Sequence, residues 1–100
     1  MRKKLDDYFN NRGFSSESFG REVRENKKGE REIKIHSYII RKGDREFYLE
    51  DKIIGRPDLT LWDKDQEMIL ADGKSQKELI EGMEAIFKKE GLIDDDQENR

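Results

Sequence analysis

The chain contains no cysteine, one proline, one histidine and one tryptophan in 100 residues. Without cysteine there is no disulfide scaffold, no thiolate metal site and no Cys nucleophile. No apolar run approaches the ~20 residues that a membrane-spanning helix requires. The opening Met1-Arg2-Lys3-Lys4-Leu5-Asp6-Asp7 lacks the apolar stretch of a secretory leader, so the expected compartment is the cytoplasm. A dominant charge is missing as well. Lys and Arg number 21 against 24 Asp and Glu, for a net charge of −3 and a pI near 5.3. Nucleic-acid-binding domains carry a basic stripe and a high pI, and DNA mimics carry a much larger acidic excess, so neither class fits.

What is present is a thin but concentrated apolar set. Charged residues make up 45% of the chain and hydrophobic ones 32%, yet ten Ile, seven Leu and nine aromatics cluster mostly between Ile33 and Phe87. That is enough for one two-layer core, and too ordered a pattern for a disordered chain. The expected organisation is one α+β domain over residues 1–93, followed by an acidic disordered tail over 94–100. Ile- and Lys-rich, Ala-poor usage points to an AT-rich genome such as that of a phage or other mobile element.

The elements follow from periodicity. Leu5, Tyr8 and Phe9 fall on one side of a helix over residues 2–10, which Asn10-Asn11-Arg12-Gly13 stops. Residues 14–30 carry little signal. The expectation there is an edge strand near 20–25 and a turn at Asn26-Lys27-Lys28-Gly29. From Glu30 the period becomes two, placing Ile33, Ile35 and Ile39 inward and Lys34, His36 and Tyr38 outward. Lys42-Gly43-Asp44 turns into a strand through Phe47 and Leu49 to about Ile54, and Gly55-Arg56-Pro57 breaks it. Leu59 and Leu61 mark the next strand, Asp63 to Gln66 a four-residue hairpin loop, and Met68-Ile69-Leu70-Ala71 the return. The result is an antiparallel meander of four to five strands. Ser75 with Glu78 has capping-box spacing. Leu79, Ile80, Met83, Ile86 and Phe87 then stripe one face of a C-terminal amphipathic helix packed on the sheet, and Gly91 ends it.

Two constellations bear on chemistry. Gly73-Lys74-Ser75 follows a strand and opens a helix as a phosphate-binding loop does, but Met68 stands where that motif requires its first glycine. The same lysine fits another pattern. Pro57-Asp58, a strand, a hairpin, an apolar strand and then Asp72-Gly73-Lys74 resembles the signature of the PD-(D/E)xK nuclease superfamily. The resemblance covers residues 57–74. It implies Asp58 and Asp72 as ligands of a Mg²⁺ ion and Lys74 as the residue that orients or helps deprotonate the attacking water. An acidic residue on the upstream helix, here Asp6 or Asp7, completes such sites. Hairpin parity opposes this reading, because a four-residue loop sends the Asp58 and Asp72 side chains to opposite faces of the sheet.

The remaining candidates are aromatic. His36 has no Ser, Cys or second His to form a nucleophile or metal pair. Tyr38 and Trp62 are candidates for an exposed patch that binds a partner. The competing expectation packs Trp62 between strands beneath the long helix. With no redox residue, phosphate loop or nucleophile pair, the expectation is a small non-catalytic accessory or regulatory module. It binds another macromolecule, expected to be a protein, and needs no cofactor. The Mg²⁺-dependent nuclease is the alternative.

Overall fold

The computed structural model describes residues 1–25, 32–52 and 58–94. Helix α1 (Lys3–Asn11) precedes five strands, β1 (Ser15–Glu25), β2 (Glu32–Lys42), β3 (Arg45–Lys52), β4 (Asp58–Asp63) and β5 (Ile69–Gly73), and helix α2 (Gln76–Lys89) closes the order. The strands form one sheet in chain order, each antiparallel to its neighbours. This is the α+β meander expected from the alternation, with five strands. The expected turn at 26–29 and the break at 55–57 lie outside the described residues. So do residues 95–100 of the expected tail, which follow a buried Ile93 and an exposed Asp94.

Both helices lie on one face of the sheet. Leu5, Tyr8 and Phe9 of α1 and Leu79, Met83 and Phe87 of α2 share a buried core with Tyr38, Ile40, Phe47, Leu49, Leu59, Leu61 and Ala71. Ile80 and Ile86 flank that stripe and are half-buried. Helix α2 begins as its sequence dictates. The Ser75 side chain accepts from the Glu78 N–H, and the Glu78 carboxylate reaches back to the Lys74 N–H. At the other end Gly91 takes φ +75°, its N–H bonds the Lys88 carbonyl, and the Leu92 N–H bonds the Phe87 carbonyl. Those two bonds form a Schellman motif.

The strand face of β2 is a correction. Alternation points Ile35 and Ile39 inward; Ile35 is buried, but Ile39 is only half-buried, and the structure turns Tyr38 and Ile40 to the helices, pairing them with Leu49 and Phe47 of β3. Ile39 and Ile40 are adjacent, so period alone fits either register. The aromatic and leucine side chains of β3 decide it, because they supply the larger apolar surface to bury.

Candidate partner-binding face

Among the described residues no helix covers the opposite face of the sheet, on which Ile35 and Ser37 are nonetheless buried. The registers place Glu17 opposite Ile39, Ile39 opposite Tyr48, Tyr48 opposite Trp62, and Trp62 opposite Ile69. A single transverse row of side chains thus crosses all five strands on this open face. A bulge between Ser18 and Gly20 in β1 adds Phe19, whose ring meets that of Tyr48 edge-on at 5.4 Å. Phe19 is 60% exposed, Ile69 50%, and Met68 beside it in the loop 62%. Among the described residues these are the large hydrophobic side chains that the fold leaves in solvent. Trp62 is half-buried, and its indole N–H donates to the Glu50 carboxylate at 2.9 Å, which fixes the ring.

Tyr38 and Trp62 therefore do not form one patch. Tyr38 is buried on the helix side and Trp62 lies on the open side, so Trp62 is not packed beneath α2 either. Of the two, Trp62 joins the apolar row of the open side. Phe19, Ile39, Tyr48 and Ile69 escaped the sequence reading. Their signal was the adjacent pairs Ile39-Ile40 and Ile69-Leu70, in which one partner has to face away from the core.

The register of the β4–β5 hairpin overturns the parity argument. Leu59 is opposite Gly73, Thr60 opposite Asp72 and Leu61 opposite Ala71, but Trp62 is opposite Ile69. Leu70 is the extra residue of a bulge. The loop itself is four residues, closed by the Asp63 N–H to the Met68 carbonyl. It is held by the Asp63 side chain, which accepts from the N–H groups of Glu67 and Met68. A four-residue loop alone separates the two carboxylates, and the bulge restores their parity. Asp58 and Asp72 both lie on the open face as diagonal neighbours, at ~7–8 Å by the geometry of such pairs. Position 74 continues the same parity just past the end of β5. Asp72 and Lys74 are exposed, and Asp58 is half-buried. Asp6 belongs to α1 on the other side of the sheet. No group of three His, Cys, Asp or Glu side chains among the described residues is placed to hold a metal ion.

His36 has more company than its strand suggests. The bulge at Phe19 brings Ser18 opposite Tyr38, so the Ser18 hydroxyl sits 3.2 Å from His36 Nε2 while the Tyr38 hydroxyl sits 3.0 Å from Nδ1. The His36 and Tyr38 rings stack at 4.5 Å. For Ser18 to act as a nucleophile, Nε2 has to accept its proton, leaving Nδ1–H to donate to a neutral phenol. Asp51, the cross-strand neighbour of His36, is gripped by both arms of Arg2 at 2.9 Å. The Ser18–His36–Tyr38 chain joins β1 to β2.

Charges frame the apolar row. On one flank Arg41 bonds both Glu46 and Glu17, and these contacts, Glu46 first, hold its guanidinium above its ordinary value. On the other flank stand Glu50, Asp72 and, one row further, Asp58 beside Lys52. An open pocket of about 290 Å³ lies away from this face, lined by the β2–β3 turn, the β4–β5 loop and Glu90. Its mixed Asp, Arg, Glu and Lys rim offers no convergent chemistry. Among the described residues no helix is long and apolar enough to cross a membrane. Compared with protein-family models, curated proteins and solved structures, the chain finds no match in any of the three.

Proposed function

We propose that this protein is a non-catalytic accessory or regulatory module that binds another protein through the open face of its sheet. The observation that carries the reading is the row of exposed Phe19 and Ile69 with half-buried Tyr48 and Trp62, opposite the face that both helices cover. Exposed Phe19, Met68 and Ile69 beside half-buried Tyr48 and Trp62 have a free-energy incentive to be covered, and Trp and Tyr are favoured anchors at interfaces. The test uses a double variant, Phe19→Ser with Ile69→Ser. Both side chains are at least half exposed, so the fold is expected to hold and the melting temperature to change little. A protein that co-purifies in stoichiometric amount with the wild type is expected to be lost from the double variant. Equal recovery with both removes the open face from the interaction.

A second reading has one observation in its favour, the shared face of Asp58 and Asp72. In the nuclease arrangement these two carboxylates would hold a Mg²⁺ ion, which supplies Lewis acidity at a phosphate, with Lys74 beside them. Two carboxylates suit that ion in kind. The surroundings favour the first reading, because Asp72 is exposed and Asp58 half-buried on a sheet face, and among the described residues no third acidic group joins them to hold an ion. Incubation with Mg²⁺ or Mn²⁺ and single-stranded, duplex or branched nucleic acid is expected to give no cleavage above background. Cleavage abolished in both Asp72→Asn and Lys74→Ala, at unchanged melting temperature, establishes the nuclease instead.

A further inference from the structure

Beyond its bulge, β1 meets β2 in a register that matches poorly. Glu22 is opposite Ile35, Val23 opposite Lys34, Arg24 opposite Ile33 and Glu25 opposite Glu32. Charged residues thus oppose isoleucine, valine opposes lysine, and two glutamates oppose each other. Ser15 to Ser18 pair one residue out of step with this. Their register, continued without a bulge, puts Glu22 opposite Lys34, Val23 opposite Ile33 and Arg24 opposite Glu32. Two opposite-charge pairs and an apolar pair then replace the mismatches, and directly opposed pairs are what stabilises an antiparallel ladder. Strand β3 reaches along β2 only as far as Ile35, opposite Lys52, so among the described residues no third strand pins residues 32–34. Register is weakly specified in such a polar two-stranded ribbon.

What holds the bulge is Phe19. It is the extra residue of β1, and its ring lies 5.4 Å from that of Tyr48, two strands away. Without the bulge Phe19 returns to the ladder opposite Ser37, whose neighbour on β3 is Glu50 rather than Tyr48. We propose that the outer half of β1 is a register switch. It exchanges between the bulged pairing, which sets Phe19 on Tyr48, and a bulge-free pairing shifted by one residue, which satisfies the ladder. The shift transfers residues 20–25 to the other face of the sheet. Resting on the protein-binding reading above, an occupant of the open face that covers Phe19 and Tyr48 draws β1 into the bulged register, so occupancy of that face and the pairing of the outer hairpin are coupled.

The test uses the protein alone, so its failure leaves the protein-binding reading standing. In nuclear Overhauser spectra, Hα–Hα contacts of Val23 with Lys34 or of Arg24 with Ile33 report the bulged register. Contacts of Val23 with Ile33 or of Arg24 with Glu32 report the bulge-free one. Both sets are expected in the wild type. Phe19→Ala removes the contact with Tyr48 and is expected to raise the ratio of bulge-free to bulged about fivefold. Phe19 is 60% exposed, so the fold is expected to hold, which melting checks. Lys34→Glu turns the Glu22–Lys34 pair of the bulge-free register into like charges and is expected to lower the same ratio about fivefold. One set of contacts, unchanged across the three proteins, overturns the proposal, and so does a ratio that neither substitution moves.

Discussion

Gly73 sits at the end of β5 where α2 turns back over the sheet. A Cβ placed there would lie 2.6 Å from the Leu79 backbone nitrogen and 2.7 Å from the Glu78 Cβ. Nothing larger than hydrogen fits without moving the first turn of α2. Gly82 makes the matching approach from the helix, with the Ala71 Cβ at 3.3 Å from its would-be Cβ. The glycine within Asp72-Gly73-Lys74 therefore has a packing reason, whatever its neighbours do. Gly73→Ala is expected to cost ~2–3 kcal/mol by overpacking, measured by chemical denaturation. Lys42 acts at the same scale. Its ammonium donates to the carbonyls of Arg12 and Leu92, tying the chain after α1 to the chain after α2, and lies 5.1 Å from the Phe14 ring centre. Lys42→Met keeps the stem and removes the donor. The expected loss is ~1–2 kcal/mol, and an unchanged denaturation midpoint contradicts the contact.

At the scale of elements, α2 was the most legible part of the molecule and β1 the least. The Ser75–Glu78 box, the Leu79-Met83-Phe87 stripe and Gly91 are local signals, and each acts in the structure through its own local hydrogen bonds or burial. The centre of the stripe is Met83 rather than Ile86, since Met83 is fully buried and Ile86 only half. Met83→Ala is accordingly expected to lose ~2–5 kcal/mol and Ile86→Ala about half that, a ranking that thermal denaturation of the pair reads directly. Strand β1 runs Ser15–Glu25, beginning well before the expected edge strand near 20–25, because Ser15, Ser16 and Ser18 carry no alternation to read. Its pairing with β2 supplies what its composition does not. The bulges at Phe19 and Leu70 were illegible for a related reason. A bulge adds one residue without changing the composition of its strand, yet it reverses which side chains share a face. That single residue moved Asp72 onto the face of Asp58 and brought Ser18 to His36.

For the whole molecule, the alternation gave the meander and both helices, but not which face the helices cover. That choice is tertiary. It depends on where Phe47, Leu49, Leu59 and Leu61 line up across three strands to meet Leu79, Met83 and Phe87. With the helices on one side, the other side keeps Trp62, Tyr48, Phe19 and Ile69, a candidate site assembled from four strands that no short motif announces. The central claim is that this face is covered by a protein partner. A photo-crosslinking side chain placed at Ile69, and as a control at exposed Glu81 on α2, tests it in the cells that produce the protein. The account predicts a discrete protein adduct from position 69 and none from position 81. Adducts of equal yield from both positions, or from position 81 alone, contradict it.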